Sequence, residues 1–276
     1  MFVDNEHCST QRTAFVSSTV FDMTEKSGSS DGSRTFQAGP IRIRVSTSGS
    51  GSRELPKERL TVDRIVDAAL EIMSVEGYDA VTMRSVAKRL DTGPASLYAH
   101  VANRLELDQY VVNRIAAGIV VPPPDPEHWE DQLRDLGQRT LEAFRAHPGS
   151  ARASMGLVPS EEGALVQAEG MMAILLAGGI KPQLAAWFGD LMALYVGSVA
   201  VEESIWVDRA KAGAGPQSEE DAIEGFRQMF EALPDDRFPN LRSMASVMVA
   251  GDGARRFGFA LDVLIAGLKS LNEREA

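Results

Sequence analysis

The stretch from Pro182 to Trp206, PQLAAWFGDLMALYVGSVAVEESIW, limits how this chain can fold more than any other. Its apolar residues lie on nearly every side of a helix, and a helix that is apolar all round must be buried all round. Its longest apolar run, Ala185 to Val201, is interrupted by Asp190. That is shorter than the roughly 20 residues a bilayer span needs, so the stretch reads as a core helix and no membrane partner is expected. The other helices of the chain must supply its cover.

Those helices are legible from spacing and end signals. Thr61 is an N-cap, Asp63 sits in the first turn, and Ile65, Ala68, Ala69, Ile72 and Met73 share a face up to a stop at Gly77. Thr82 caps a second helix whose Val86 and Leu90 face one way. Asp91, Thr92 and Gly93 form a turn, and Pro94 stands at the first position of a third helix, where its missing N–H costs nothing. Asn103 and Glu106 start a fourth helix that runs to about Gly118. Then VVPPPDP at 120–126 breaks the pattern and marks the domain boundary. Beyond it, helices are expected from Asp125–Pro126 to His147–Pro148, to about Leu157, from Ser160 to Gly178–Gly179, from Pro182, over 218–232, weakly over 239–249, and from Asp252 to the end. No strand pattern or internal repeat is read anywhere, so the expected fold is all-α. Residues 1–52, with SGSSDGS and STSGSGS, are too polar to offset ordering entropy and read as a disordered extension. Its Arg34, Arg42 and Arg44, with Arg53, could form a basic arm along a minor groove; an inert tail, with Met23 as an internal start, is the plainer reading.

The function is carried by residues 82–104, TMRSVAKRLDTGPASLYAHVANR, a helix, a tight turn and a second short helix. Leu97 and Val101 point inward while Ser96, Tyr98 and His100 point largely outward, as a helix-turn-helix presents hydroxyl and imidazole groups to a DNA groove. The overall net charge of −11 is unfavourable for this, but its distribution is not. Residues 1–104 are balanced, and the excess lies in 105–276, with 15 basic and 26 acidic side chains. Within 82–104, Arg84, Lys88, Arg89 and Arg104 face Asp91 alone. Phosphates would be drawn to that segment and repelled by the rest. The plain alternative is an ordinary helical hairpin.

Residues 60–119 resemble the DNA-binding domain of TetR-type (tetracycline-repressor-like) regulators, through Ala68–Ala69–Leu70, Gly77, Thr82, Val86–Ala87, Leu90, Leu97–Tyr98, His100–Val101 and Leu105. Residues 126–270 are similar, more weakly, to the tetracycline-repressor type of C-terminal domain. The resemblance implies a helix-turn-helix domain over 58–119 and a helical ligand-binding and dimerisation domain over 126–271. It implies a base or phosphate contact from Arg84, base-edge contacts from Pro94, Ala95 and Ser96, and phosphate contacts from Tyr98, His100 and Arg104. Arg can bridge guanine O6 and N7, and Ala or Pro can touch a thymine methyl. Asp91 replaces the Gly frequent in the family, and Pro94 a base-reading glutamine, so the operator cannot be borrowed.

The resemblance also implies a homodimer on a near-palindromic operator, seamed by helices 182–208 and 253–271. Gly189, Ala193 and Gly197 allow close helix approach, either in that seam or inside one subunit. A pocket for a small apolar effector is expected among Phe144, Met155, Met171, Met172, Leu175, Phe188, Met192 and Tyr195, residues that equally suit a plain core. Ser154, Leu157 and Leu136 stand where the tetracycline repressor has polar drug contacts, which disfavours a tetracycline–magnesium ligand. Ligand binding would change the separation of the recognition helices through helix 103–118. No catalytic residue, metal site or cofactor is expected: His7, His100, His128 and His147 are scattered, and no phosphate loop, HExxH or nucleophile elbow is present. The single cysteine, Cys8, and an N-terminus without an apolar run suit a cytoplasmic protein. Competing readings are a helical dimeric interaction protein lacking DNA binding and, last, an enzyme.

Overall fold

Thr61 opens the first helix as its side chain allows: Oγ1 accepts the Arg64 N–H at 3.3 Å, and α1 runs over Val62–Glu76. In this computed structural model the described residues are 59–213, 215–216 and 218–274 (Glu219 by its backbone alone), with the backbone of 24–26, 33–38 and 41–46. The inward stripe of α1, from Ile65 to Met73, is buried, and Gly77 ends the helix at φ 88°. A single 3-10 turn over Tyr78–Ala80 leads to α2 (Met83–Arg89), α3 (Pro94–Tyr98) and α4 (Arg104–Ala117). Val86, Leu97, Leu107 and Val111 join the α1 stripe in one core.

After the proline break, Asp125 accepts the Glu127 N–H at 2.9 Å in a turn over 126–128, and the helix expected from Asp125–Pro126 begins at Trp129 without a side-chain cap. α5 then spans Trp129–Ala146, followed by α6 (Ser150–Ser154), α7 (Glu162–Ala177) and α8 (Pro182–Lys211). α9 (Glu219–Glu231) follows, and the weak helix expected over 239–249 proves to be two short ones, α10 (Pro239–Ser243) and α11 (Ala245–Met248). α12 (Gly253–Arg274) closes the chain's described part. Leu133, Leu141, Ile174, Phe188, Leu261 and Ile265 form the second core. The two cores are not separated where the prolines separate the sequence. Ala153 of α6 packs into the first core, and Phe144 of α5 touches both.

The N-terminal extension departs from the reading of its sequence. Thr24–Lys26, Ser33–Ala38 and Ile41–Ser46 form an antiparallel sheet in that order, with Phe36 opposite Ile43. The sequence reading expected neither strand nor order here. The overlooked signal is the alternation of Ile41, Ile43 and Val45 with Arg42 and Arg44, a period of two. The rest of 1–52 and Arg53 lie outside the described residues, as does the inert-tail or basic-arm question.

α8 is buried on one side only. Leu184, Phe188, Met192 and Val196 enter the core, whereas Trp187 is 62% exposed and Leu191 and Leu194 are also bare. By length and composition alone this 30-residue helix could cross a membrane, which the shorter run counted in the sequence did not suggest. α12 repeats the division, with Phe257, Leu261, Ile265 and Leu268 inside and Phe259, at 71% exposure, Val263 and Leu271 outside.

The glycines of α8 settle which of two close approaches they serve. A Cβ at Gly189 would lie 2.7 Å from Met172 Cε, and one at Gly197 2.8 Å from Met155 Cε. Both therefore make room for methionines of the same chain, the within-subunit alternative, while Ala193 between them is exposed. Gly163 of α7 faces less yielding neighbours: a Cβ there would meet Ala117 Cβ at 2.7 Å and the Asn113 backbone carbonyl of α4 at 2.9 Å. A methionine methyl can swing away; a helix backbone cannot. Gly163→Ala is expected to lower unfolding free energy by about 1–3 kcal/mol in denaturant titration. Gly197→Ala is expected to hold or gain stability, by up to about 1 kcal/mol of helix propensity, and to leave sedimentation unchanged.

Candidate nucleic-acid interface

The reading edge is built on two helix ends. At the start of α2, Thr82 Oγ1 accepts the Ser85 N–H at 3.0 Å and Ser85 Oγ accepts the Thr82 N–H at 2.8 Å, a reciprocal cap. At its far end, the Thr92 N–H donates to the Ala87 carbonyl at 3.0 Å and the Asp91 N–H to the Lys88 carbonyl at 3.2 Å. This is the double closure that needs a left-handed residue at its centre. Asp91 is that residue, at φ 50° the one positive-φ position among the described residues that is not glycine.

α3 is held by Leu97, which is fully buried, with Val101 beside it. The sequence-expected contacts Pro94, Ala95, Ser96, Tyr98 and Arg84 are all exposed, Tyr98 at 55%, and His100 is half-buried. They thus lie on α2, α3 and the residues just after it. Lys88, which the site assignment had passed over, is exposed on α2 as well.

The local positive charge is smaller than the sequence count. Arg89 is spent on Glu71 and Glu76, at 2.5 and 3.0 Å. Arg104, expected to grip a phosphate, is turned into the domain. Its Nε donates to Asp108 at 2.9 Å, Nη1 to the Val81 carbonyl, and its plane lies 4.4 Å from the centre of the Tyr78 ring. Nη2 is buried without a hydrogen-bond partner, and the ring face offers it cation–π attraction instead. The assignment of Arg104 as a phosphate contact is therefore corrected: it clamps α4 to the 3-10 turn. Arg84 and Lys88 remain exposed, with no ion pair among the described residues.

This clamp reaches the second domain. The Tyr78 hydroxyl donates to Asp108 at 2.8 Å, and Arg152 of α6 lies over the Tyr78 ring at 5.1 Å while pairing with Asp79 at 2.9 Å. Tyr78 thus has a guanidinium from α4 and another from α6. Burial pushes the Asp108 carboxyl above the usual range, partly offset by the Tyr78 hydroxyl and Arg104. Burial, then Asp108, pushes the Tyr78 phenol up. Nothing in the spacing of 78, 108 and 152 announces this cluster.

The expected effector residues fare differently. Leu175, Phe188 and Met192 are packed core, Met171 and Met172 press against it, Tyr195 stacks on Phe257 at 5.5 Å, and Met155 is exposed. Of the residues expected, Phe144 alone lines the large cavity, about 1160 Å³, which lies elsewhere. That cavity is walled by the ends of α1 and α5, the C-terminal part of α8, α9, and the segment from Met248 into α12. Apart from Phe144, the expected side chains pack into or against the second core or, like Met155, lie exposed, and do not line this cavity. The missed signal is Ile223, Phe226 and Phe230 on α9, one face at helical spacing. Of the positions matched to tetracycline contacts, Leu136 is buried and Ser154 Oγ donates to the Ala151 carbonyl at 2.8 Å. Among the described residues no group of three His, Cys, Asp or Glu side chains is placed to hold a metal ion.

Asp91 in the left-handed region carries a conformational cost that glycine would not. Asp91→Gly is expected to raise the thermal midpoint, with a gain of about 0.5–1 kcal/mol; an unchanged or lower midpoint would contradict the strain.

The chain matches known regulators along nearly its whole described length. Residues 65–107 match the model of bacterial regulatory proteins of the tetR family, and residues 122–271, more than half the chain, match the tetracyclin repressor-like C-terminal domain. It is 27% identical to the HTH-type transcriptional repressor DrrR1 of Streptomyces coeruleorubidus over 254 residues, 90% of this chain and 89% of that one. The class D tetracycline repressor of Escherichia coli is 26% identical over 76% of this chain and 90% of its own. Apo ActR from Streptomyces coelicolor superposes with a TM-score of 0.69 at 36% identity, over 80% of this chain and 100% of that one. ActR solved in complex with actinorhodin gives 0.69 at 37% identity, over 79% and 99%. The chain belongs to the TetR family of bacterial regulatory proteins and is a DNA-binding transcriptional regulator.

Proposed function

We propose that two copies of this regulator seat their α3 helices in successive major-groove faces of a near-palindromic operator, and that a largely apolar effector releases them. The observation that carries this reading is the position of the cavity. Its wall includes Met73, Ser74 and Gly77 at the end of α1. An occupant would touch the DNA-binding core and the C-terminal core at once. ActR, solved in complex with actinorhodin, supports control by a small-molecule effector. Arg152 supplies a second link, because any shift of α6 acts on Tyr78 and, through Arg104, on the start of α4. Moving such an equilibrium from about 1:99 to 99:1 takes about 5.5 kcal/mol of differential binding.

In the groove, Pro94, Ala95 and Ser96 read base edges, while Arg84, Tyr98 and His100 position the protein on phosphates or bases. The half-buried His100 suits a contact at the groove margin. The bare stripes of α8 and α12 receive the same stripes of the second copy, and together they bring two α3 helices to half-sites about 34–36 Å apart. We assign the protein a cytoplasmic place, beside its operator, and no catalytic role.

Selection of bound sequences from random duplex DNA with the full chain tests the reading. A recovered inverted repeat is expected; retention of all sequences alike would overturn it. On the recovered operator, Arg84→Ala is expected to weaken binding several-fold and, if Arg84 meets a phosphate, to lower the salt slope by about one. Leu191→Glu, which puts a charge into the α8 stripe, is expected to sediment as a monomer and to lose operator binding at least a hundredfold. A dimer that persists in this variant would move the seam elsewhere.

A further inference from the structure

α2 has one flank that its own domain uses and one that it leaves bare. Met83, Val86, Ala87 and Leu90 pack inward. Ser85 Oγ donates to the Ala80 carbonyl at 2.7 Å, and Arg89, four residues on, reaches Glu71 and Glu76. Arg84 and Lys88 are also four residues apart, which sets them one above the other on a helix. Both are exposed, with no ion pair among the described residues. α2 packs against α1 and α3. Since α1 holds the Arg89 side, Arg84 and Lys88 stand on the flank toward α3 and its exposed Pro94, Ala95 and Ser96. The charges divide in the same way. Arg89, Arg104 and Arg114 are each paired with acids of the DNA-binding domain, Glu71 with Glu76, Asp108, and Asp63 with Asp67 respectively. Asp91, three residues beyond Lys88, is exposed and has no ion pair among the described residues.

We infer that Lys88 is a phosphate anchor of the DNA-bound protein, one helical turn along α2 from Arg84. The inference rests on the proposed seating of α3 in the groove and adds a contact to it. Four residues of helix rise about 6 Å, so two long side chains at this spacing can reach neighbouring phosphates of one strand. An ammonium suits that task better than base reading. It is a compact point charge on a mobile stem, without the planar fork that a guanidinium offers to guanine. Lys88 therefore adds affinity and register but no sequence information. It also offsets the repulsion that Asp91 exerts on phosphates. With Arg89 and Arg104 paired inside, Arg84 and Lys88 are the two cations of 82–104 left to the DNA. The loss of one then weighs more than it would in a strongly basic domain.

Fluorescence anisotropy of the full-length protein on the selected operator, at about 50 to 200 mM salt, tests this with Lys88→Gln and Lys88→Arg. Lys88→Gln is expected to keep the wild-type thermal midpoint. It is expected to flatten the plot of log affinity against log salt by about 0.9 for each subunit bound. For a dimer, its deficit in affinity then shrinks about tenfold across that salt range. The loss is expected to be alike on the operator and on an unrelated duplex of the same length, and a repeated selection is expected to return the same inverted repeat. Lys88→Arg keeps the charge and is expected to keep the wild-type slope. A slope that Lys88→Gln leaves unchanged, a loss confined to the operator, or a Lys88→Arg plot as flat as that of Lys88→Gln overturns the inference. The wild-type chain separates the two levels. An operator bound by Lys88→Gln with the wild-type slope removes only this anchor, whereas no duplex preferred by the wild-type chain removes the proposed seating of α3 as well.

Discussion

Leu184, Phe188, Met192 and Val196 leave water on one side of α8, and that burial organises the C-terminal half. Removal of such side chains from solvent is the main favourable term in folding, at roughly 25 cal/mol for each Å² of apolar surface. α5, α7 and α12 pack around this side, and Gly189 and Gly197 let the methionines of neighbouring segments close the remaining gaps. The other side, with Trp187, Leu191 and Leu194, is exposed, uncovered by any of the described residues. The same physical demand that builds the core on one side is left unmet on the other, and the proposed α8 seam with a second copy would meet it.

The DNA-binding core makes the opposite compromise. Leu97 is entirely buried, which leaves its neighbours Ser96 and Tyr98 exposed. Half of the positive charge in 82–104 is withdrawn into internal pairs, Arg89 to α1 and Arg104 to Asp108. Those pairs hold the geometry of the reading edge at the expense of its electrostatic pull. Fewer free cations mean a weaker non-specific attraction to phosphates, and so a larger share of binding energy left to base contacts.

The two halves meet where packing ignores the sequence boundary, which is where the proposed switch would act. Ala153 sits in the first core, Tyr78 lies between Arg104 and Arg152, and the cavity wall includes the end of α1. Each is a place where a rigid element of one half bears on the other, and close-packed interiors pass such displacements on instead of absorbing them. The buried, ionisable Asp108 at the centre of the clamp adds a group whose charge is costly unless Arg104 and Tyr78 stay in place.

The residues alone determined the helices, because caps, stops and a 3.6-residue apolar period are local. Thr61, Gly77, Thr82, Pro94 and Asn103 stand where the chain begins and ends its helices. They determined the outward set on α3 as well, since Leu97 could face only inward. What they could not determine were the meetings of distant residues: the inward turn of Arg104, the pairing of Arg89 with Glu71, the self-directed glycines of α8 and the cavity beside α9. A side chain's partner is set by which helices cross and how closely, and no periodicity within one helix encodes that. The sequence carried the faces; the tertiary structure decided what each face meets.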